Sequence, residues 1–432
     1  MSPTFRALRN HNYRLYLAGN LVSNTGTWMQ RVAQDWLVLS LPGTGGTALG
    51  ITTGLQFLPV LLLSPYAGVV ADRFPKRVML QLTQLGMALS SLALGVVAVS
   101  GHAQVWMVYL LAFTFGVASA FDVPARQSFV SEMVGPDDLT NAVGLNSAVF
   151  NSARLLGPAA AGLLIGLLGG GAIASGWVIL INGVSYFAVI LQLRRMDVRQ
   201  LHSPKPRGRE PGMLREGMRY VRSQPKMLMI LVLVFFAGTF GMNFQITSAL
   251  MATQVFDKGA GEFGILGSAL AVGSLAGALL AARRPHIRLR LLIFAATGFG
   301  VAEIVAGLLP SYLVFACFAP VIGFCTITLL NSSNATMQLS SEPVLRGRVM
   351  ALYMTVVMGG TPLGSPVIGW IGEHLGARWT LEIGGALVLV GVGTALLVFR
   401  AAEGRMAEGR VGSQREVAWS RDGSLSREQA RV

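Results

Sequence analysis

Apolar stretches of about 18 or more residues recur from one end of this chain to the other. Each is long enough to cross the ~30 Å hydrocarbon core of a bilayer as an α-helix. Twelve can be drawn, at about 14–39, 47–71, 78–100, 104–125, 143–168, 175–194, 226–250, 263–282, 289–309, 312–333, 349–372 and 378–399. Leu, Ala, Gly, Val and Phe fill them without period-2 alternation, which argues against a β-barrel and for helices. Charged residues make up 12% of the chain, against roughly a quarter in soluble domains. The first stretch is long, carries no cleavage signal, and reads as a true span rather than a signal peptide.

The net charge of +14 would suit nucleic acid, but its distribution points elsewhere. With the N-terminus placed in the cytoplasm, thirty of the 34 Lys and Arg fall on the inner side, in the lead-in, the even-numbered connections, the 194–226 stretch and the C-terminal tail. Lys258 and Arg378 fall outside, and Arg31 and Arg154 within helices. This positive-inside bias puts both termini in the cytoplasm and assigns the basic charge to anionic lipid, not DNA.

Cys317 and Cys325 sit in one helix and cannot staple distant elements. None of the five His lies deep in a span, so neither metal ligation nor His-based catalysis is expected. The chain has no phosphate-cradling G-x-x-x-x-G-K-S/T, so any energy source is an ion gradient rather than its own ATP hydrolysis. No cofactor is expected.

Polar residues inside the spans are the candidate site, because a polar group facing lipid is costly. Helix 1 carries Asn20, Asn24, Thr27, Arg31 and Gln34 on one face, with Asp35 adjoining it one turn from Arg31. That stripe faces either a water-filled cavity or a helix contact that an Arg31–Asp35 bridge would staple. Helix 5 carries Ser147, Asn151 and Arg154 on one face, and Arg154 needs an acceptor from Asp122, Asp35 or Glu303. Glu303, the second clear intramembrane acid, is read as a wet rim residue near the outer surface or, alternatively, as facing the cavity. Asp35 is the first choice for a proton-coupling residue and Glu303 the second.

The stretch Gly68-Val69-Val70-Ala71-Asp72-Arg73-Phe74-Pro75-Lys76-Arg77 joins the second and third spans. It resembles the signature between helices 2 and 3 of the major facilitator superfamily, with Pro75 where the second Gly is usual. Gly157-Pro158 followed by Gly162 resembles the helix 5 motif of antiporters in that superfamily. Leu8 to Arg14, and the Asp122 to Gly162 region with Arg126, resemble a bacterial exporter subgroup related to the enterobactin exporter. The resemblance implies an all-α integral membrane fold of twelve transmembrane helices in two six-helix pseudo-symmetric bundles. It also implies a cytoplasmic gate at Gly68, Asp72, Arg73, Lys76, Arg77, Asp122 and Arg126, with Asp72 touching the chain near Arg346 to Val349.

Residues 195–225 read as a cytoplasmic linker between bundles 1–194 and 226–400, with a short amphipathic helix from Met213 to Val221. The tail from Ala401 to Val432, rich in Arg and poor in apolar residues, reads as disordered. A shift of 207 residues places Pro136 on Pro343, Gly157 on Gly364 and Gly162 on Gly369, an echo of the first half in the second. The expected function is proton-coupled export of amphipathic small molecules across the bacterial inner membrane, by a monomer. A siderophore exporter or a small-metabolite importer is the alternative within transport. A membrane sensor or scaffold would not need acids inside its helices.

Overall fold

The computed structural model describes residues 3–202, 213–283, 289–342 and 345–429, and among them every regular element is a helix. The first half comprises α1 (His11–Ser40), α2 (Gly46–Arg73), α3 (Lys76–Val99), α4 (Val105–Met133), α5 (Pro136–Leu167) and α6 (Gly171–Arg195). A short helix, α7 (Met213–Arg222), leads into the second half: α8 (Pro225–Phe236), α9 (Phe244–Leu250), α10 (Ala260–Ala282), α11 (Leu289–Leu308), α12 (Tyr312–Ser340), α13 (Arg346–His374) and α14 (Ala377–Gln429). The intervening linker residues 203–212, and Arg284, lie outside the described residues.

Among the described residues, eleven segments are long and apolar enough to cross a membrane. The twelfth span is α1, whose 30 residues suffice in length but carry the polar stripe. Leu62, Leu167, Phe294 and Leu397 stand open to the surroundings, and so do Trp106, Trp177, Trp370 and Trp379 near one end of the bundle. Apolar flanks with Trp at one rim are what lipid-facing helices present.

Most helices outrun their apolar stretches. Helix α5 begins at Pro136, whose missing N–H is no loss in the first turn, and Asp137 and Asp138 complement the helix dipole there. Helix α4 continues through Asp122 and Arg126 to Met133, so Arg126 lies within the helix, beyond the expected end of the fourth span at 125. The seventh span is not one regular helix. Helices α8 and α9 are separated by a π turn at Ala237–Gly241, and a second π turn follows at Met251–Val255. The first widened turn lets Gly360 and Gly364 of α13 approach the backbone at Gly238 and Thr239. The tail departs from expectation as well: α14 runs on as helix to Gln429 instead of ending near Arg400. Extending a helix already nucleated by a packed span is cheap, and Ala, Arg and Glu favour it.

The packing repeats across the halves. Helix α2 packs on α4 as α10 does on α12, α3 on α6 as α11 does on α14, and α1 on α6 as α8 does on α14. Between the halves, α2 meets α13 and α5 meets α10. Both inter-half contacts are made by glycines. Gly46 and Gly50 lie against the α13 backbone at Gly369 and Ser365, and Gly162 lies against Gly261 and Gly264. The 207-residue echo is therefore structural. Gly157 faces α1 while Gly364 faces the seventh span, and Gly162 faces α10 while Gly369 faces α2.

Candidate functional site

The described cavity, of about 360 Å³, is walled by the first half. Helix α1 gives it Asn20, Asn24, Thr27 and Arg31, so four of the five stripe residues face it. The fifth, Gln34, instead donates to Gln56 Oε1 of α2 at 2.9 Å. Asn151 of α5 also lines the cavity, its amide donating to Ser147 O at 2.8 Å.

Asp122 and Arg126 form the polar floor. Both are placed on the cavity by one turn of α4, and they pair at 2.8 Å. The other carboxylate oxygen of Asp122 accepts from Thr83 and Gln84 of α3, each at 2.8 Å. Arg126 also donates to Asn20 Oδ1. The two charges of this buried pair compensate each other and each has further hydrogen bonds, as charges inside a bilayer require. Thr83 and Gln84 were not legible as site residues, since small polar side chains in an apolar helix are common.

Arg31 is arranged differently. Its guanidinium carbon stands 4.5 Å from the Trp28 ring centroid and 5.5 Å from that of Phe57. Its Nε is buried without a hydrogen-bond partner. Asp35, though one turn away, closes no ion pair with it, and Asp35 is 5% exposed with Oδ2 unpartnered. The Arg31–Asp35 bridge expected as one reading is thus absent, because the aromatic faces hold the guanidinium instead. Asp35 lies outside the cavity lining.

Two other expectations change. Glu303 is no rim residue: it is 1% exposed, on α11 against Gly384 and Gly385 of α14, with Oε2 unpartnered. The small residues of α14 leave room for a carboxyl inside the bundle, and sequence position alone hid that packing. Arg154 is half-buried and, among the described residues, none of Asp122, Asp35 or Glu303 pairs with it. Asp122 is already occupied, and the other two acids are buried elsewhere.

Of the Gly68 to Arg77 stretch, Gly68 is half-buried in α2 and Arg73 is exposed, while the side chain of Asp72 lies outside the described residues. Lys76 pairs with the buried Glu132 of α4, and Arg77 donates to Leu193 O of α6 at 2.6 Å. Both cations tie helices of their own half. Gly157 likewise meets its own half: a Cβ there would lie 2.6 Å from Trp28 Cβ of α1. The contact with the other half falls to Pro158 and Gly162, against Gly264 and Gly267.

The end of the molecule carrying the interhelix loops at 41–45, 168–170 and 375–376 is where the two halves close on each other. The glycine contacts of α2 with α13 and α5 with α10 sit in that half of the bundle. Glu373 of α13 accepts the Thr47 backbone N–H at the start of α2, at 2.8 Å. Ser268 of α10 donates to Leu155 O of α5 at 2.6 Å, and Trp36 stacks on Phe263 with centroids 6.2 Å apart. Toward the other end, Gly144 of α5 and Gly347 of α13 have open space around them. Among the described residues no group of three His, Cys, Asp or Glu gathers to hold a metal ion.

Two pseudo-symmetric six-helix halves, touching through α2–α13 and α5–α10 beside a polar cavity, are the fold of the major facilitator superfamily. Residues 2–415 match the transmembrane secretion effector family, and the chain belongs to it. It is a multi-pass membrane protein, not an enzyme. It is similar to the multidrug efflux pump Tap of Mycolicibacterium fortuitum, with 28% identity over 88% of this chain and 93% of that protein. The staphyloferrin A transporter of Staphylococcus aureus is 22% identical over 86% of this chain and 92% of its own length. Among solved structures, a bacterial homologue of the human lysosomal transporter Spinster, inward-facing and occupied, superimposes with a TM-score of 0.70. It is 16% identical, over 93% of this chain and 98% of that one.

Proposed function

We propose that this protein exports amphipathic small molecules across the bacterial inner membrane by alternating access, energised by a proton gradient. In this reading both termini are cytoplasmic and the protein works as a monomer. The two bundles, 1–194 and 226–400, rock about the α2–α13 and α5–α10 contacts, while 195–225 links them and the segment from Ala401 trails into the cytoplasm. The single observation that carries the reading is the polar-walled cavity beside halves whose closest glycine contacts gather toward the loop end. That is the arrangement of a carrier closed to the outside and accessible from within. The direction is supported by relatives named for efflux and for a siderophore, staphyloferrin A. Asp35 is the proposed proton carrier, with Glu303 second. The Gly68 to Arg77 stretch forms the gate that closes the inner end in the opposite state, through Asp72.

The test is accumulation and export of a compound panel in cells lacking their own pumps, then in everted vesicles with an imposed pH gradient. Uphill uptake into everted vesicles that collapses with the gradient is the expected result. Facilitated movement that only follows the compound's own gradient would remove the proton-coupling part. Retention of every compound at background level would remove the export reading.

A further inference from the structure

We propose that the cavity selects amphipathic organic anions, and that Arg31 receives the carboxylate or other oxyanion of the ligand. This rests on the transport reading only in taking the cavity as the binding site.

The cavity wall holds one acid, Asp122, and two cations, Arg31 and Arg126. Asp122 and Arg126 neutralise each other, and both carboxylate oxygens of Asp122 already accept hydrogen bonds, from Arg126, Thr83 and Gln84. What remains is Arg31. No acid pairs with it, its Nε is buried without an acceptor, and none of its nitrogens finds a protein partner among the described residues. A guanidinium carries five donors, and leaving them unmade inside a bilayer is costly. Trp28 and Phe57 hold the charged plane by their faces without using those donors. The arrangement is that of a clamped, outward-turned fork, which suits a planar oxyanion bidentately. Two further charges lie within electrostatic reach of Arg31 from outside the lining: the Asp35 carboxylate, one turn along α1, and Arg154, which has no acceptor among the described residues.

The apolar part of the ligand has its own wall. Phe57, Phe115 and Phe150 face the cavity, and Trp28 meets Phe150 edge-on at 5.9 Å. An anionic head on Arg31 therefore places an aromatic or aliphatic body against rings. An organic cation of the same size meets the opposite: two guanidinium groups in the wall, and no carboxylate in the lining other than Asp122, which Arg126 already pairs. Excluding it needs no further element, because like charges in a low dielectric repel strongly.

The experiment compares ligand charge at constant body, using the full-length protein in lipid nanodiscs with empty nanodiscs subtracted. The probes are 1-anilinonaphthalene-8-sulfonate, neutral N-phenyl-1-naphthylamine, and a naphthyl trimethylammonium salt. The anionic probe should bind tightest. Arg31→Gln should weaken it by roughly tenfold, the loss of one charge-assisted contact, and leave the neutral probe within about twofold. Arg31→Lys should retain an intermediate affinity, which separates lost charge from misfolding, and size-exclusion profiles check insertion. Tighter binding of the cation, or an anion affinity unmoved in Arg31→Gln, overturns the proposal. Because binding is read without transport, a protein that selects anions but exports nothing would fail the transport reading alone. One that exports cations, and does so better as Arg31→Gln, would fail this one alone.

Discussion

Glu373 accepts the backbone N–H of Thr47 at 2.8 Å, across 326 residues of chain and across the boundary between the two halves. A side chain at the end of α13 thus caps the first turn of α2. Carboxylates favour helix N-termini because unpaired N–H groups and the helix dipole converge there. No local residue does the job, for Gly45 precedes α2 and offers no side chain. The cap exists only while the halves are closed at the loop end.

Glu373→Ala should therefore destabilise the closed loop end without touching the cavity. The group is exposed, so about 0.5–1 kcal/mol is at stake, a few-fold shift in population. Spin labels at Pro42→Cys and Leu375→Cys, with Cys317 and Cys325 replaced, should show a larger fraction of long distances in Glu373→Ala. An unchanged distance distribution would mean that the glycine contacts alone hold this end.

Those contacts carry the next expectation. A Cβ at Gly162 would lie 2.5 Å from Ala260 O, and both atoms belong to packed helix backbones that cannot move aside singly. Gly162→Leu should abolish transport, while expression and membrane insertion stay normal, and should leave the loop end more accessible to a membrane-impermeant thiol reagent at Pro42→Cys. Gly157→Leu should also impair transport, but by wedging α5 from Trp28 of α1 within one half. It should leave that accessibility near wild type. Equal accessibility changes in both variants would contradict the division of labour between the two glycines.

These glycines show what the sequence could and could not tell. Twelve apolar runs were enough for an all-helical membrane bundle, because membrane thickness and backbone hydrogen bonding leave few alternatives, and the resemblance carried by Gly68 to Arg77 and Gly157-Pro158-Gly162 implied its two six-helix halves. The α1 stripe was legible too, since polar residues at helical spacing had to face something other than lipid. Which partner each polar group takes was not legible. Arg31 and Asp35 are spaced for a bridge, but Trp28 and Phe57 decide otherwise, and Phe57 comes from another helix. Glu303 looked peripheral because its span ends soon after it, yet Gly384 and Gly385 of α14 make a buried place for it. Glu373 and Thr47 meet only because the whole bundle brings them together.

Asp122 provides a test of the satisfied pair. Its carboxylate accepts from Arg126, Thr83 and Gln84. Asp122→Asn leaves Arg126 charged in the bundle with no counter-ion, which in buried pairs costs up to about 3–5 kcal/mol. Because Arg126 keeps some exposure, the lower end of that range is expected. A drop in thermal midpoint of several degrees in detergent should follow. The double variant Asp122→Asn with Arg126→Gln should recover part of it, since it removes the stranded charge as well. If the double variant is as unstable as the sum of the singles, the two residues are not energetically coupled.

Asp35 and Glu303 are both buried carboxyls with one oxygen unpartnered, and they differ in where they stand. Asp35 lies outside the cavity lining but one turn from Arg31, which is part of it, so a movement of α1 against α2 would change its access to water. Glu303 is enclosed between α11 and α14 of the other half, away from the cavity lining. A group that carries protons must meet each side of the membrane in turn, and only Asp35 has a neighbouring space that could open to do so. Asp35→Asn should therefore abolish export driven by an imposed pH gradient, while binding of a neutral probe survives within about threefold. Glu303→Gln should preserve pH-driven export, since the amide fills the same enclosed volume. The measurement is uptake into everted vesicles with and without a pH gradient, for wild type and both variants. Loss of pH-driven uptake in Glu303→Gln, with Asp35→Asn unaffected, would reverse the assignment and move the proton site to the C-terminal half.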